Sequence, residues 1–456
     1  MVEERKYWDA EIETMPREKL EKLQWGRLQR QLKYNYANVP FYRELWDKAG
    51  IKPDHIKNMD DFRWKVPTVR KDDLRKYRQE TGDPWSGMLA CPVEEARCVG
   101  TSTGTTGEHV FHPATSLDCE IRSECLARDL WTAGIRPGMR IWLWWPHSHS
   151  YGSSHGISGS LNRLTERLGV QWLTIDFSLI FNWSGEMHLP ELAIPVLKYC
   201  KPNAYIMLTE LAVPIMEFIR TRGLDGHDIF SSVKLCIYSA GLMTEGSRKT
   251  FREMTGVEHQ LDCYSHGDLS LFAVECPEMH YCHLKEDLML LEILDPETKD
   301  PVAPGERGEL TWTDLRREAF PLCRWMSEDI GFLDSEPCPC GRTHYRFKCI
   351  GRTGWTFRLK GKVCTPYDVE EEILRKTPAT VASEYYIVRY APDMDKLILK
   401  TTYDYTVEPD EAKLKRQIDM RIQEALGVDS EVTFVKPEEL PRSAHKVIHV
   451  VDEKRK

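Results

Sequence analysis

The sequence predicts an α/β protein: a large N-terminal domain of βαβ units with a β-meander, followed by a small α+β C-terminal domain. Three observations lead there. Short apolar runs alternate with helical stretches between about residues 97 and 330. Two runs separated by the Asp295-Pro296 turn read as antiparallel strands. Past about residue 350 the texture changes to one long helix among short strands. At 456 residues the chain exceeds the size of one compact domain. We therefore divide it into residues 1–350 and 351–456, joined by a short hinge near Gly351–Trp355.

The elements follow in order. Leu20, Leu23, Leu28 and Leu32 recur at roughly helical spacing, which predicts an amphipathic helix over residues 17–36. Asn38-Val39-Pro40 ends it, because proline cannot continue the amide ladder. A second helix spans Tyr42–Ala49, with Gly50 suited to the position after its end. Ile141–Trp145, Ala204–Leu208 and Val233–Tyr238 read as buried strands, and Leu161–Leu168 as a helix. Leu288–Leu294 and Gly308–Trp312 form the meander. In the C-terminal domain a helix at Tyr367–Arg375 precedes strands at Tyr385–Tyr390 and Leu397–Thr402. Leu414, Ile418, Ile422 and Leu426 mark one face of a long helix ending at Gly427. Strands near Val432–Val435 and Val447–Val451 close the chain.

A composition of 41% hydrophobic and 29% charged residues excludes a disordered protein. The net charge of −9 argues against broad binding to nucleic acid. No apolar run approaches the ~18 residues that cross a membrane, and the first residues lack a signal-peptide core. A cytoplasmic setting is expected, in which most of the 14 cysteines are buried, reduced thiols.

The most informative stretch is Thr101-Ser102-Thr103-Gly104-Thr105-Thr106-Gly107. Its glycines permit close backbone approach, and its hydroxyls and amides can wrap polyphosphate oxygens. No Gly-Lys-Ser/Thr follows, so it is not a Walker loop. On composition alone an ordinary surface loop competes with this reading.

The loop resembles the Ser-Ser-Gly-Thr-Thr-Gly phosphate loop of adenylate-forming ligases, and more narrowly that of the phenylacetate–CoA ligase family. Other stretches resemble the same family in the same order: Asn38-Val39-Pro40-Phe41-Tyr42, Ala133–Gly138, Cys338–Thr343, Ile350-Gly351-Arg352 and the terminal Leu440–Lys446. The resemblance implies a two-step reaction. A carboxylate attacks the α-phosphate of ATP to give an acyl-adenylate and pyrophosphate; the mobile C-terminal domain then turns and coenzyme A takes the acyl group. It implies Lys446 as the adenylation lysine, whose ammonium bridges carboxylate and phosphate oxygens. Asp329 falls at the family's ribose-binding aspartate and Arg352 at its hinge arginine. Ser102, Thr103, Gly104, Thr105, Thr106 and Gly107 hold phosphate; Cys263, Tyr264 and Ser265, with Ser239, Ala240 and Gly241, border the adenine.

Departures are as informative. Where the family continues Gly-Leu-Thr-Glu after its tyrosine, this chain has Ser265-His266-Gly267-Asp268, so Asp268 takes the place of the Mg²⁺-holding glutamate. Glu108-His109 replaces Lys-Pro, Ala240-Gly241-Leu242-Met243 replaces Gly-Ala-Glu-Pro, and the hinge acid has become Gly354 or Trp355. The stretch Trp144–Gly152 occupies the family's acid pocket. There Trp145 and Tyr151 offer flat faces for an aromatic ring, with His147 or His149 for a polar substituent and Gly152 closing the segment. The expected substrate is a substituted aryl or arylacetic acid. A non-CoA acceptor and a nucleotide-binding protein without turnover are the alternatives.

Two further expectations concern metal and partner. Cys276, His283, Cys338 and Cys340 supply three thiolates and an imidazole, a complete tetrahedral set for structural Zn²⁺. His280 and Cys282 are the substitutes if the register differs. The aromatic set Trp25, Tyr34 and Tyr36 suggests a homodimer contact near the N-terminal helices.

Overall fold

Pro40 organises the start of the chain. In the computed structural model the first long helix spans Arg17–Asn38, and Val39 caps it while Pro40 opens the next helix, Pro40–Lys48. The helix buries Leu20, Leu28 and Leu32 together with Gln24, Gln31 and Asn35. Leu23 is only half-buried, and polar Gln24 sits in the buried stripe instead. Its amide donates to the Glu286 carbonyl at 3.2 Å, and Gln31 donates to the Arg317 carbonyl at 2.9 Å. Buried amides of this kind are stable only because they are bonded.

The structure describes residues 5–101, 110–143, 157–174, 189–239, 243, 245–269, 271–278, 281–443 and 446–453. Contacts group the chain into two units, one of residues 1–177 with 261–349 and one of residues 178–260 with 350–456.

In the first unit, an antiparallel hairpin pairs Cys98–Thr101 with Phe111–Ala114 and leads into the helix Ser116–Thr132. Thr115 and Asp118 bond reciprocally across its first turn. Arg140–Leu143 and Gln171–Thr174 pair in parallel with the helix Ile157–Leu168 between them, the expected βαβ unit. The meander is present: a five-stranded sheet runs in the order Met289–Leu294, Gly308–Asp314, Trp325–Asp334, Arg346–Arg352, Cys282–His283, its first three strands antiparallel. Trp312 and Trp325 lie in its core at 0% and 1% exposure. Arg324, with a left-handed φ of 48°, turns its guanidinium onto Glu292 at 3.2 Å and onto the Val66 carbonyl at 2.6 Å. Trp25, Tyr34 and Tyr36 pack against this core, and Tyr34 donates to the Glu318 carbonyl at 3.1 Å. They are therefore anchors of the long helix and not an exposed contact set.

In the second unit, Ala204–Leu208 and Leu235–Ser239 pair in parallel, with the helix Thr209–Thr221 between them. A four-stranded sheet follows in the order Asp429–Phe434, Lys396–Tyr403, Thr380–Arg389, Val450–Asp452. The helix Glu411–Leu426 buries Leu414, Ile418 and Ile422 and ends at Gly427, whose φ of 71° suits glycine. The helix expected at 367–375 is a short α-turn, Pro366–Val369, running into a π-turn at Glu370–Leu374. The single strand expected at 447–451 is two: Lys446–Val447 folds back on Arg442–Ser443, while Val450–Asp452 joins the sheet beside Thr380–Arg389. Apolar residues on both sides of the Ile448-His449 break had merged them in the sequence. Among the described residues no helix is long and apolar enough to cross a membrane.

Gly308 and Gly331 face each other across two strands of the meander. A Cβ on Gly331 would lie 2.3 Å from the Lys348 carbonyl oxygen, so the neighbouring strand would have to move. Gly331→Ala is expected to cost about 1–3 kcal/mol of unfolding free energy. Urea unfolding measures it, and an unchanged midpoint would contradict the tight packing.

Candidate active site and cysteine–histidine cluster

The strand His259–His266 carries three of the candidate nucleotide-binding residues. Cys263 is buried, while Tyr264 and Ser265 are half-buried. Tyr264 stacks on Trp312 at 6.1 Å between ring centroids and meets the edge of Phe347 at 5.3 Å. Its hydroxyl donates to Asp329 Oδ2 at 2.8 Å. Burial, and then the nearby Asp329 charge, push the Tyr264 phenol well above its ordinary range, so it stays a donor. Asp329, 7% exposed, is thus oriented by a neutral group, with His266 Nε2 3.9 Å from the same oxygen.

Asp268 follows at the turn before the strand Leu271–Val274. It is 2% exposed and already engaged: Lys71 Nζ lies 2.8 Å from Oδ2, and His112 Nε2 lies 2.9 Å from Oδ1. Burial raises the Asp268 pKa, but the His112 bond and the charges around it outweigh that and hold it well below the usual range. Burial lowers the His112 pKa, which favours the neutral ring. In the structure Asp268 anchors Lys71 and His112. Neither partner was found from sequence: Lys71 opens one helix, His112 sits in a hairpin strand, and no local pattern links them to residue 268.

Ser239 ends the strand Leu235–Ser239 fully buried, its carbonyl accepting from Thr209 Oγ1 at 3.2 Å. Arg352 closes the strand Arg346–Arg352, half-buried, directly after Gly351 with its φ of 148°. Lys446 opens the two-residue strand paired with Arg442–Ser443. Its side chain lies outside the described residues, as do Ser102–Gly107, Ala240, Gly241, Trp145, His147, Tyr151 and Gly152.

Cys276, His283, Cys338 and Cys340 come together, their ligand atoms all within 4.8 Å of one another and all four buried. The fold arranges this in steps. Cys276 leaves its strand in a turn closed by its own amide on the Tyr281 carbonyl at 2.8 Å. His283 lies on the short strand that pairs with Arg346–Phe347, and the Cys338–Cys340 turn immediately precedes that strand pair. The His283 Nδ1 contacts the His344 carbonyl at 3.1 Å, which leaves Nε2 3.3 Å from Cys340 Sγ. Cys282 points away, its thiol on the Ala273 carbonyl, so it is not in the set; His280 lies outside the described residues. The N-terminal segment clamps this turn: Tyr7 donates to the Cys340 carbonyl at 3.0 Å, Arg342 pairs with Glu13 at 2.5 Å, and Thr343 N donates to the Glu13 carbonyl at 3.0 Å.

Residues 361–454 match the family model of the AMP-binding enzyme C-terminal domain. A structure of 2-hydroxyisobutyryl-CoA ligase in the postadenylation state is similar over 99% of this chain and 94% of that one, with a TM-score of 0.84 and 25% identity. The class is thus the adenylate-forming enzymes. The phenylacetate–coenzyme A ligase of Thermus thermophilus is 32% identical over 96% of this chain and 97% of its own length, and that of Escherichia coli is 28% identical over 97% and 96%. The chain belongs to the phenylacetate–coenzyme A ligase family of AMP-forming acid–thiol ligases.

The Asp268 anchor gives a pH signature. A depressed carboxyl contributes stability that is present above its unfolded pKa of about 3.9 and lost as pH falls through the folded value. Asp268→Asn is therefore expected to cost about 3–5 kcal/mol near pH 7, and the gap to wild type should close in acid. Unfolding curves from about pH 1 to 5 measure this; a constant gap would refute it.

Proposed function

We propose that this ligase activates an aromatic carboxylic acid, aryl or arylacetic, and passes it to coenzyme A. The whole-length likeness to phenylacetate–coenzyme A ligases carries this reading. A carboxylate oxygen of the acid attacks the α-phosphorus of ATP and pyrophosphate leaves with its bonding electrons. The thiolate of coenzyme A then attacks the acyl carbon and AMP departs. Catalysis of this kind is chiefly positioning and charge stabilisation. In our reading Asp329, oriented by Tyr264, accepts from the ribose hydroxyls. Arg352 sits at the joint to a mobile domain of residues 351–456, and Lys446 meets the charge that develops at the α-phosphate. The loop Ser102–Gly107 cradles the phosphates, and Trp145, His147, Tyr151 and Gly152 line the acid pocket.

Lys446→Ala should lower acid-dependent pyrophosphate release by about 10²–10³-fold with an unchanged melting temperature. A near-normal rate would remove Lys446 from the reaction. The acid itself is identified by ATP-dependent thioester formation across a panel of aryl and arylacetic acids, with 2-hydroxyisobutyrate included. Preference for the aliphatic hydroxy acid would overturn the aromatic assignment.

We further propose that Cys276, His283, Cys338 and Cys340 hold one structural Zn²⁺. Three thiols and one imidazole in a buried cluster suit zinc, and the His283 Nδ1 contact fixes the ring for ligation through Nε2. Four protein ligands leave no position for water, so the ion would join the Cys338–Cys340 turn to the sheet without entering the reaction. Metal analysis is expected to find about one zinc per chain, and Cys338→Ser should lose it with a lower melting temperature. Metal-free protein never exposed to chelator would defeat the assignment. A reduced, cytoplasmic setting accords with none of the 14 cysteines being in a disulfide.

A further inference from the structure

A second pair of thiols stands apart from the cysteine–histidine cluster. Cys98 and Cys119 have their Sγ atoms 3.8 Å apart, within hydrogen-bond range for sulfur. Cys98 opens the strand Cys98–Thr101 and pairs with Ala114, the last residue of the facing strand. Thr115 then caps the helix Ser116–Thr132, so Cys119 comes up at its start, beside that strand end. Its amide donates to the Thr115 carbonyl at 3.1 Å, which holds it in the helix. Cys119 is 2% exposed, whereas Cys98 is half-buried and keeps contact with solvent.

The two sulfurs are unequal. The Cys119 hydrogen bond, and then the guanidiniums of Arg122 and Arg97, bring the Cys98 thiol down to about 6 against burial and the charge of Asp118. At neutral pH it is therefore mostly thiolate, the form that attacks another sulfur. The same hydrogen bond, with burial and the Cys98 charge, raises the Cys119 thiol, which stays protonated as the donor. Elsewhere burial pushes thiols up: Cys125 to about 12, and Cys236, Cys282 and Cys323 well above their ordinary range. A low thiol within reach of solvent, next to a second cysteine, is the arrangement that oxidises first.

We propose that Cys98 and Cys119 form a reversible disulfide, made by small-molecule disulfides of the glutathione type and undone by small thiols. The Cys98 thiolate attacks one sulfur of the oxidant and expels the other as a thiolate, leaving a mixed disulfide on Cys98. The Cys98 charge that raised the Cys119 thiol is then gone. Cys119 gives its proton to solvent, attacks Cys98 Sγ and releases the second small thiolate. Two electrons leave the protein, and one oxidant becomes two thiols. The sulfurs must close from 3.8 Å to about 2.05 Å. That shift falls to Cys98 on its two-stranded hairpin, because Cys119 is held in a helix. The closed ring takes in both strands and residues 102–110 between them, which include the candidate phosphate loop. The chemistry is the same whatever that loop binds. In a reducing setting such a bond is transient and reports the oxidant.

The test uses the full chain. Arg97 precedes Cys98, and the next lysine or arginine is Arg122, so trypsin releases residues 98–122 as one peptide with these two cysteines and no others. Protein treated with oxidised glutathione and then blocked with iodoacetamide should yield that peptide unalkylated and two hydrogens lighter. Dithiothreitol before blocking should restore two alkylated cysteines. Cys119→Ser should stop at the first step, with glutathione retained on Cys98. If that variant does not fold, Cys98→Ser, at the more exposed position, should leave Cys119 an unmodified thiol. Two alkylated cysteines in the peptide from oxidised wild type, or glutathione on Cys119 in Cys98→Ser, overturns the proposal.

Discussion

The packing of Tyr264 against Trp312 and Phe347 is the constraint on which the unit of residues 1–177 and 261–349 depends. These rings come from two sheets, one carrying the strand His259–His266 and the other the meander, and Trp312 is fully buried where they meet. Edge and offset contacts of this kind contribute about 0.5–1.5 kcal/mol each beyond the area they bury. Their larger effect is positional. With the ring locked between Trp312 and Phe347, the Tyr264 hydroxyl has little freedom left, and it is directed onto Asp329 at 2.8 Å. A core contact and a candidate ligand contact are the same side chain.

Charge is handled in this unit by burying it with a partner. Arg324 with Glu292, Lys285 with Asp129 and Arg128 with Asp287 are all buried pairs. Such pairs add little net stability over apolar packing, yet each forbids any arrangement that separates the partners. Glu286 and Asp287 show the effect well: Arg17 and Arg27 of the long N-terminal helix and Arg128 of a second helix converge on one turn before the meander.

Much of the architecture was legible in the sequence because it is written in local periodicity. Ala204–Leu208 and the helix carrying Leu414, Ile418 and Ile422 follow directly from apolar spacing. What periodicity misses is polar burial decided by distant partners. Gln24 and Gln31 look like solvent-facing residues, and only the Glu286 and Arg317 carbonyls explain their place inside. The candidate site divides the same way. The cysteine–histidine set was readable because four soft donors are a chemistry as well as a pattern. The Asp268 anchor was not, since its partners Lys71 and His112 lie in other segments and pair with it only through the fold.

The clamp on the Cys338–Cys340 turn has a consequence for biosynthesis. Tyr7 bonds a residue 333 positions later, and Arg342 meets Glu13 across 329. At ribosomal speeds of ~5–20 residues per second, roughly 15–70 s separate the emergence of one partner from the other. Through that interval the nascent chain has the Glu13 carboxylate and the Tyr7 hydroxyl without their counterparts. Docking of the N-terminal segment is therefore a late, long-range closure, of the kind that slows folding and leaves waiting segments to chaperones.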